Sequence, residues 1–400
     1  MRNVVFVDGV RTGFGKMGGS LKDFSTSELA AKAIEGLLEK TKILEKAKVD
    51  GVYMGSANPD IRTNALGRYA VLSTKLGYDV WSTTIERQCG SAIEAINHAA
   101  GAIMLGYADI MIAGGAESFS QYVCKMSTSN TPYKMAAPAF VAPMHSPVKE
   151  DAIDMIYTAE NVAKMYGITR EECDEFAFRS QQRAAAAWEK GYFDDEVIPV
   201  IIPATRKTPE ISFAKDEFMR PSTTLEGLAA LKPVKGEGCV VTAGNASGRN
   251  DGGGMVLMMT EEKAKELGYE PFARFVAAGN SAVDPKLMGL GPVGASLGAL
   301  KHAGLDISDI DVFECNEAFA AQNLGVIKEL EKQTGKTIDQ SKWNPNGGAI
   351  SFGHPNGASG ARVCMFTMRE LARRGGKYGL FTSCCGGGLG VTAIIENLRK

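Results

Sequence analysis

Four short segments carry residue types that do chemistry together. The first is Glu86-Arg87-Gln88-Cys89-Gly90-Ser91. Cys89 stands just ahead of an apolar run with helical spacing, so its sulfur falls near a helix N-terminus, where the macrodipole favours a thiolate. A free thiol has a pKa of roughly 8.5, so nucleophilic work at neutral pH needs such help. A small buried hydrophobe is the competing reading, and the flanking Gly90 and Ser91 weigh against it. The second is Gly353-His354-Pro355-Asn356-Gly357, a rigid turn before another helix, which holds an imidazole able to take a proton from a thiol. Of the four histidines only His354 has such a setting; His98 lies mid-helix, and His145 and His302 have no supporting motif. The third is Thr382-Ser383-Cys384-Cys385-Gly386-Gly387-Gly388, in which a strand delivers two cysteines into glycines whose backbone N–H groups can converge on an anionic oxygen. A phosphate cradle is its rival, and no Lys-Ser or Lys-Thr follows. The fourth is Asn316-Glu317 between an apolar strand and a helix, suited either to capping that helix or to donating a hydrogen bond in catalysis.

These segments need a scaffold that brings distant turns together. Asn3 to Val7, Val52 to Met54 and Asp109 to Ala113 read as strands; Ser27 to Glu39 and Gly90 to Gly106 read as helices with an apolar face. That is the rhythm of βαβ units around a mostly parallel sheet. From about Phe119 to Gly248 the rhythm breaks into a segment rich in Pro, Ser, Thr and Met, with helices at Thr158–Met165 and Arg170–Lys190. It resumes at Asn250. The stretch from Cys89 through ADIMIAGGAES parallels the stretch from Asn356 through GLFTSCCGGG: a functional turn, a buried helix, and a strand feeding a polar or Gly-rich turn. This points to a duplicated α/β unit.

Composition sets the class. The chain has 400 residues, 44 Lys or Arg against 46 Asp or Glu, and 44% hydrophobic residues. This excludes global disorder and argues against a nucleic-acid or membrane-surface binder. No apolar run reaches the ~18 residues of a membrane span. Eight cysteines without a C-x-x-C pair show no zinc set and read as free thiols in a reducing cytoplasm. No secretory leader is read at the N-terminus.

Taken in order, the motifs resemble the thiolase family over essentially the whole chain. They are VRTGFGKMGG from Val10, CGS at 89–91, AGGAES at 113–118, TAEN at 158–161, TAGNASG at 242–248, NDG at 250–252, MGLGP at 288–292, NEAFAAQ at 316–322, NGGAISFGHPNGASGAR at 346–362 and CCGGGLG at 384–390. The resemblance implies the thiolase fold: two similar α/β halves, five layers α-β-α-β-α, with an inserted loop domain. The expected boundaries are 1–119 with 250–271, 120–249 for the insertion, and 272–400. It implies a reversible Claisen condensation of acetyl-CoA with an acyl-CoA, acetoacetyl-CoA being the default product, with no permanently bound cofactor or metal. By the same resemblance Cys89 is the acyl carrier, His354 its activating partner and Cys384 the acid/base for the α-proton. Asn316, through a water and with His354, stabilises the enolate oxygen. The N–H groups of Cys89 and Gly386 hold the acyl carbonyl. Arg220 and Ser247 match CoA contacts, and Met155 and Met288 match residues lining the acyl or pantetheine region. A homodimer or homotetramer is implied. A degradative thiolase for another short or polar acyl chain, and a non-catalytic acyl-CoA or lipid binder, are the alternatives.

Several positions depart from the family pattern: Glu86, Asp154, Ile156, Tyr157, Gly227, Lys235, Asn356 and Cys385. Glu86 either raises the Cys89 pKa from close by or pairs with Arg87 and points away. Asp154 and Asn356 add polarity near the expected pocket, and Ile156 and Tyr157 add bulk, which suggests a short acyl chain.

Overall fold

The computed structural model describes residues 1–60, 62–129, 137–142, 144–206 and 208–399. The first half contributes strands β1 (Val4–Thr12), β2 (Gly51–Gly55), β3 (Trp81–Ile85), β4 (Ile110–Ser118) and β5 (Asn250–Thr260). The second contributes β6 (Ala273–Ala282), β7 (Ile310–Cys315), β8 (Tyr378–Cys385) and β9 (Leu389–Asn397). The strand order is β7-β8-β9-β6-β1-β5-β4-β2-β3. Read from each half's own first strand, β2, β4, β5, β1 correspond to β7, β8, β9, β6. Across these four strands each half is parallel at the first joint, β2 with β4 and β7 with β8, and antiparallel at the next two; the first half adds β3 at its edge, parallel to β2. The duplication expected from the motifs is therefore present in the topology. The two halves of this one sheet join where β1 meets β6 over only Val5–Arg274 and Phe6–Ala273.

The helices fill three layers. Helix α1 (Thr26–Thr41) buries Leu29, Ile34 and Leu37 against one outer face, and a Ser25–Glu28 capping box starts it. Helices α2 (Ser91–Met104) and α7 (Asn356–Arg374) lie together between the halves. Ile93, Ile96 and Ile103 of α2 meet Val363, Met365 and Met368 of α7 in one core with strand residues of both halves. On the other outer face α5 (Gly291–Ala303) and α6 (Ala320–Thr334) pack with α3 (Met155–Tyr166) and α4 (Arg170–Glu189) of the insertion. The N-terminal turns of both helices are largely enclosed: α2 buries Ser91, Ala92 and Ile93, and α7 is buried from Gly357 onward.

Strand β4 runs further than its apolar stretch suggested, through Gly114 and Gly115 to Ser118. Its glycines permit this. A Cβ on Gly115 would stand 2.1 Å from the Gly357 carbonyl oxygen at the start of α7, so only glycine allows the two halves to meet here. Among the described residues no helix is long and apolar enough to cross a membrane, and no group of three or more His, Cys, Asp or Glu could hold a metal ion.

Candidate active site

Cys89 sits in a tight 3-10 turn, Gln88–Gly90, that leads directly into α2. Gln88 is left-handed at φ 47°, a strained conformation for a side chain of this size. Two devices hold it. The Ser91 hydroxyl donates to the Gln88 carbonyl at 2.7 Å while accepting from the Arg87 N–H. The Glu86 carboxylate accepts from both the backbone and side-chain N–H groups of Gln88. Glu86 thus braces the turn. It makes no ion pair with Arg87, which bonds Glu94 at 3.2 Å.

The Cys89 sulfur faces two N–H groups, its own and that of Gly386. Burial nevertheless pushes its thiol far above the ordinary value, with Cys385 and Glu117 adding to the rise. The two N–H groups lower it by less than burial raises it, and the resting sulfur is a thiol. Cys384 is fully buried, and burial pushes its thiol up as well, with the nearby Cys89 adding to the rise. The two thiols therefore share one pocket although they come from different halves.

His354 follows Gly353, whose φ of 93° needs glycine and whose Cβ would collide with the Asn250 amide at 2.2 Å. That amide accepts the His354 backbone N–H. Burial pushes the imidazole down to about 3, and the Arg362 charge adds to the fall, so the ring is neutral. Its tautomer follows from the hydrogen-bond network. Arg362 only donates, so the Asn316 oxygen faces it at 3.3 Å. The Asn316 Nδ2 then donates to His354 Nε2 at 3.3 Å. The ring proton lies on Nδ1 and is donated to Ser359 Oγ at 2.6 Å, while Ser359 donates to the Pro355 carbonyl. A neutral imidazole with its lone pair on Nε2 is the form that can accept a thiol proton.

Asn316 does not cap the helix that follows it, because that cap falls at Phe319. Its backbone N–H is tied to the Thr382 carbonyl on β8, which leaves the side chain for the site. Glu317 turns away. It accepts from Ser180 and Asn344 and from the Ile350 N–H, pinning the loop to α4 and to the segment ahead of His354.

The family model for the thiolase N-terminal domain matches residues 4–262, and that for the thiolase C-terminal domain matches residues 269–397. The chain belongs to the thiolase family. It is 42% identical to the beta-ketoadipyl-CoA thiolase of Escherichia coli over 100% of both chains. It is also 42% identical to an acetyl-CoA acetyltransferase of Cupriavidus necator, over 99% of this chain and 100% of that one. The crystal structure of the Bacillus anthracis acetyl-CoA acetyltransferase superposes with a TM-score of 0.92 at 39% identity, covering 99% of each chain. As a thiolase the protein is an acyltransferase that performs a reversible Claisen condensation on CoA thioesters.

Around this thiolase site the remaining expected residues fall in two places. Met288 is buried in a cluster with Cys384, Ala318 and Phe319, and Met155 packs on the same cluster from the first turn of α3. Arg220 lines an open cleft of about 480 Å³ with Phe218, Leu228, Leu231 and Gly244. It makes no ion pair among the described residues, and its backbone N–H donates to Gln181. Ser247 lies between the cleft and the catalytic loop, where its N–H and hydroxyl both donate to the Ala318 carbonyl.

Four residues near the thiols were not assigned roles from sequence. Glu117, next to last on β4, accepts from the N–H groups of Ala57 and Gly357 at 2.9 and 3.0 Å. Ser359 and Arg362 flank the His354–Asn316 pair. All three lie inside quoted motifs, so a polar residue within a stretch of small residues is the available signal. His145 lies against Gly386, as Gln88 does, and no local pattern marks it.

Proposed function

We propose that Cys89 accepts the acyl group of one CoA thioester and passes it to the α-carbon of a second. His354 Nε2 takes the Cys89 proton as the sulfur attacks, which suits a resting thiol better than a standing thiolate. The N–H groups of Cys89 and Gly386 stabilise the acyl carbonyl oxygen. His354 keeps that proton on Nε2 while Cys384 gives its own proton to the departing CoA sulfur. The Cys384 thiolate so formed removes the α-proton of the second thioester, and Asn316 and the His354 Nε2–H stabilise the enolate oxygen. His354 returns its proton to the Cys89 sulfur when the new carbon–carbon bond releases it. The observation that carries this reading is a convergence of the two halves: the Cys89 sulfur faces the Gly386 N–H, the Ser383 hydroxyl donates to the Cys89 carbonyl at 3.4 Å, and Asn316, in the loop that brings Ala318 and Phe319 to Cys384, donates to His354 Nε2 at 3.3 Å. Residues 120–249 form the CoA-binding insertion in this reading. Arg220 offers an unpaired cation to a CoA phosphate, and Ser247, Met155 and Met288 line the path to the thiols.

Acetoacetyl-CoA is the substrate we assign in the cleavage direction. Ile156 and Met155 crowd the Cys384 cluster, which favours a short chain. A polar short chain is the second reading, favoured by the Asp154–Lys235 pair at 3.2 Å at the start of α3.

Intact-protein mass after brief exposure to a panel of acyl-CoAs and 3-oxoacyl-CoAs tests both. One added acyl group on the native chain, absent from Cys89→Ala, is expected, with the four-carbon substrate labelling best. Labelling of Cys89→Ala would overturn the nucleophile assignment. Faster labelling by a long-chain substrate would overturn the short-chain one.

A further inference from the structure

Arg362 is fully buried on the second turn of α7, yet it is poorly paired. Its nearest acid, Glu314, stands at 3.8 Å. Both Glu314 carboxylate oxygens, and Arg362 Nε and Nη1, have no hydrogen-bond partner among the described residues. The guanidinium is held instead by aromatic rings, Phe366 at 5.0 Å and Phe352 at 5.9 Å from its central carbon. Its one direct hydrogen bond runs from Nη2 to the Asn316 oxygen. A buried cation without close acid partners is costly. A molecule that needed only an anchor here would do better with a bidentate pair or an apolar side chain.

We propose that Arg362 is a positioning residue for carbon–carbon bond formation: it fixes which way the Asn316 amide faces and polarises it, so that Nδ2 is presented to His354 and to the enolate oxygen. This rests on the assignment of Asn316 to the enolate. The geometry requires it in one further respect. An asparagine amide is nearly symmetric in shape, and only a partner that cannot accept selects one orientation. Arg362 is that partner. With the amide reversed, the Asn316 oxygen would face the His354 lone pair and offer no donor to an enolate. Ser359 does the same for the other end of the ring by accepting the Nδ1 proton. The orientation thus passes from Arg362 through Asn316 and His354 to Ser359.

The test is a double-mutant cycle on α-proton exchange, followed by NMR as loss of the acetyl-CoA methyl signal in D₂O. The native enzyme is compared with Arg362→Gln, Asn316→Ala and the combined variant. Arg362→Gln is expected to slow exchange by roughly 10- to 100-fold, the scale of a lost charge-assisted hydrogen bond. In the Asn316→Ala background it is expected to slow exchange no further. Arg362→Lys, which keeps the charge and a donor, should recover part of the loss. An equal loss from Arg362→Gln with and without Asn316 would show a merely structural arginine and overturn the inference. Unchanged exchange in Asn316→Ala would instead overturn the Asn316 assignment beneath it. Because Arg362→Gln strands Glu314, the charge-balanced pair Glu314→Gln/Arg362→Gln is carried through the same cycle with the same expectation.

Discussion

The two halves share one topology but treat the first turn of the matching helix differently. Helix α2 opens on a strained Gln88 turn with Cys89 half-buried, and Arg87 ahead of that turn pairs with the partly exposed Glu94 on the first turn of the helix. Helix α7 opens on Gly353 and His354 and is buried from Gly357 to Leu371. The same architectural position therefore supplies a reachable thiol in one half and a sequestered imidazole in the other. The difference follows from what each must do. A nucleophile has to meet a large substrate from outside. A base has to keep one tautomer and one protonation state, which burial and a directed hydrogen-bond chain provide. The strands that follow diverge in the same way: the next-to-last residue is Cys384 on β8 and Glu117 on β4.

The widest break between the halves comes from removing the second-half thiol. Cys384→Ala leaves Cys89, His354 and the Gly386 N–H in place, so the acyl adduct on Cys89 should still form. Condensation and α-proton exchange should fall by roughly 10²–10⁴-fold, the usual contribution of a positioned acid/base. Single-turnover labelling beside steady-state condensation separates the two. Loss of the adduct in Cys384→Ala would mean that the thiols do not divide the work by half.

Much of this division was legible in the sequence, for a physical reason. Turns such as Gly353-His354-Pro355 and Cys384-Cys385-Gly386 combine a reactive side chain with residues of restricted or unusual backbone, and that combination is visible in one dimension. The repeat of turn, helix and strand was visible too, because α2 and α7 carry periodic apolar faces. Protonation was not. Cys89 looked like a thiolate at a helix end, but the cost of desolvation depends on neighbours from the other half, Cys385 among them. Arg362 and Glu117 were readable as motif letters and no more. Their roles depend on which unpaired atoms face them across the interface, and no spacing rule records that.

Glu117 sharpens the comparison, since it bonds Ala57 in one half and Gly357 in the other. Burial raises its pKa from 4.5 to about 7. The unfolded chain releases this proton near 4.5, whereas the folded protein keeps it until about 7. The contribution to stability is therefore full below 4.5 and is lost as pH rises through 7. Glu117→Gln does not titrate. The stability of the native enzyme relative to Glu117→Gln should decline across that window and stay level outside it, as read from thermal unfolding at fixed pH steps. A difference that stays flat or grows with pH would contradict the buried carboxyl. The same variant should alkylate faster at Cys89 above pH 7, because a nearby negative charge is gone.

The smallest effects belong to the insertion, which has no counterpart in the second half. Asp154 caps α3 by accepting from the Ile156 N–H at 2.8 Å, and it also pairs with Lys235. The cap is local and geometric; the ion pair is half exposed and screened. Asp154→Ala should therefore cost about 1 kcal/mol of stability, in the range of a lost helix cap. Lys235→Ala should cost no more than about 0.5 kcal/mol, in the range of an exposed pair, even though its ammonium also lies 4.6 Å from the centre of the Tyr157 ring. Because α3 presents Met155 and Ile156 to the Cys384 cluster, loosening its first turn should also blur the preference among acyl chains, and Asp154→Ala should do so more than Lys235→Ala. If Lys235→Ala instead destabilises the enzyme more, or alone shifts the ratio of rates between polar and apolar four- to six-carbon substrates, the ammonium acts on the acyl group itself. The polar-chain reading of the pocket would then displace the short apolar one.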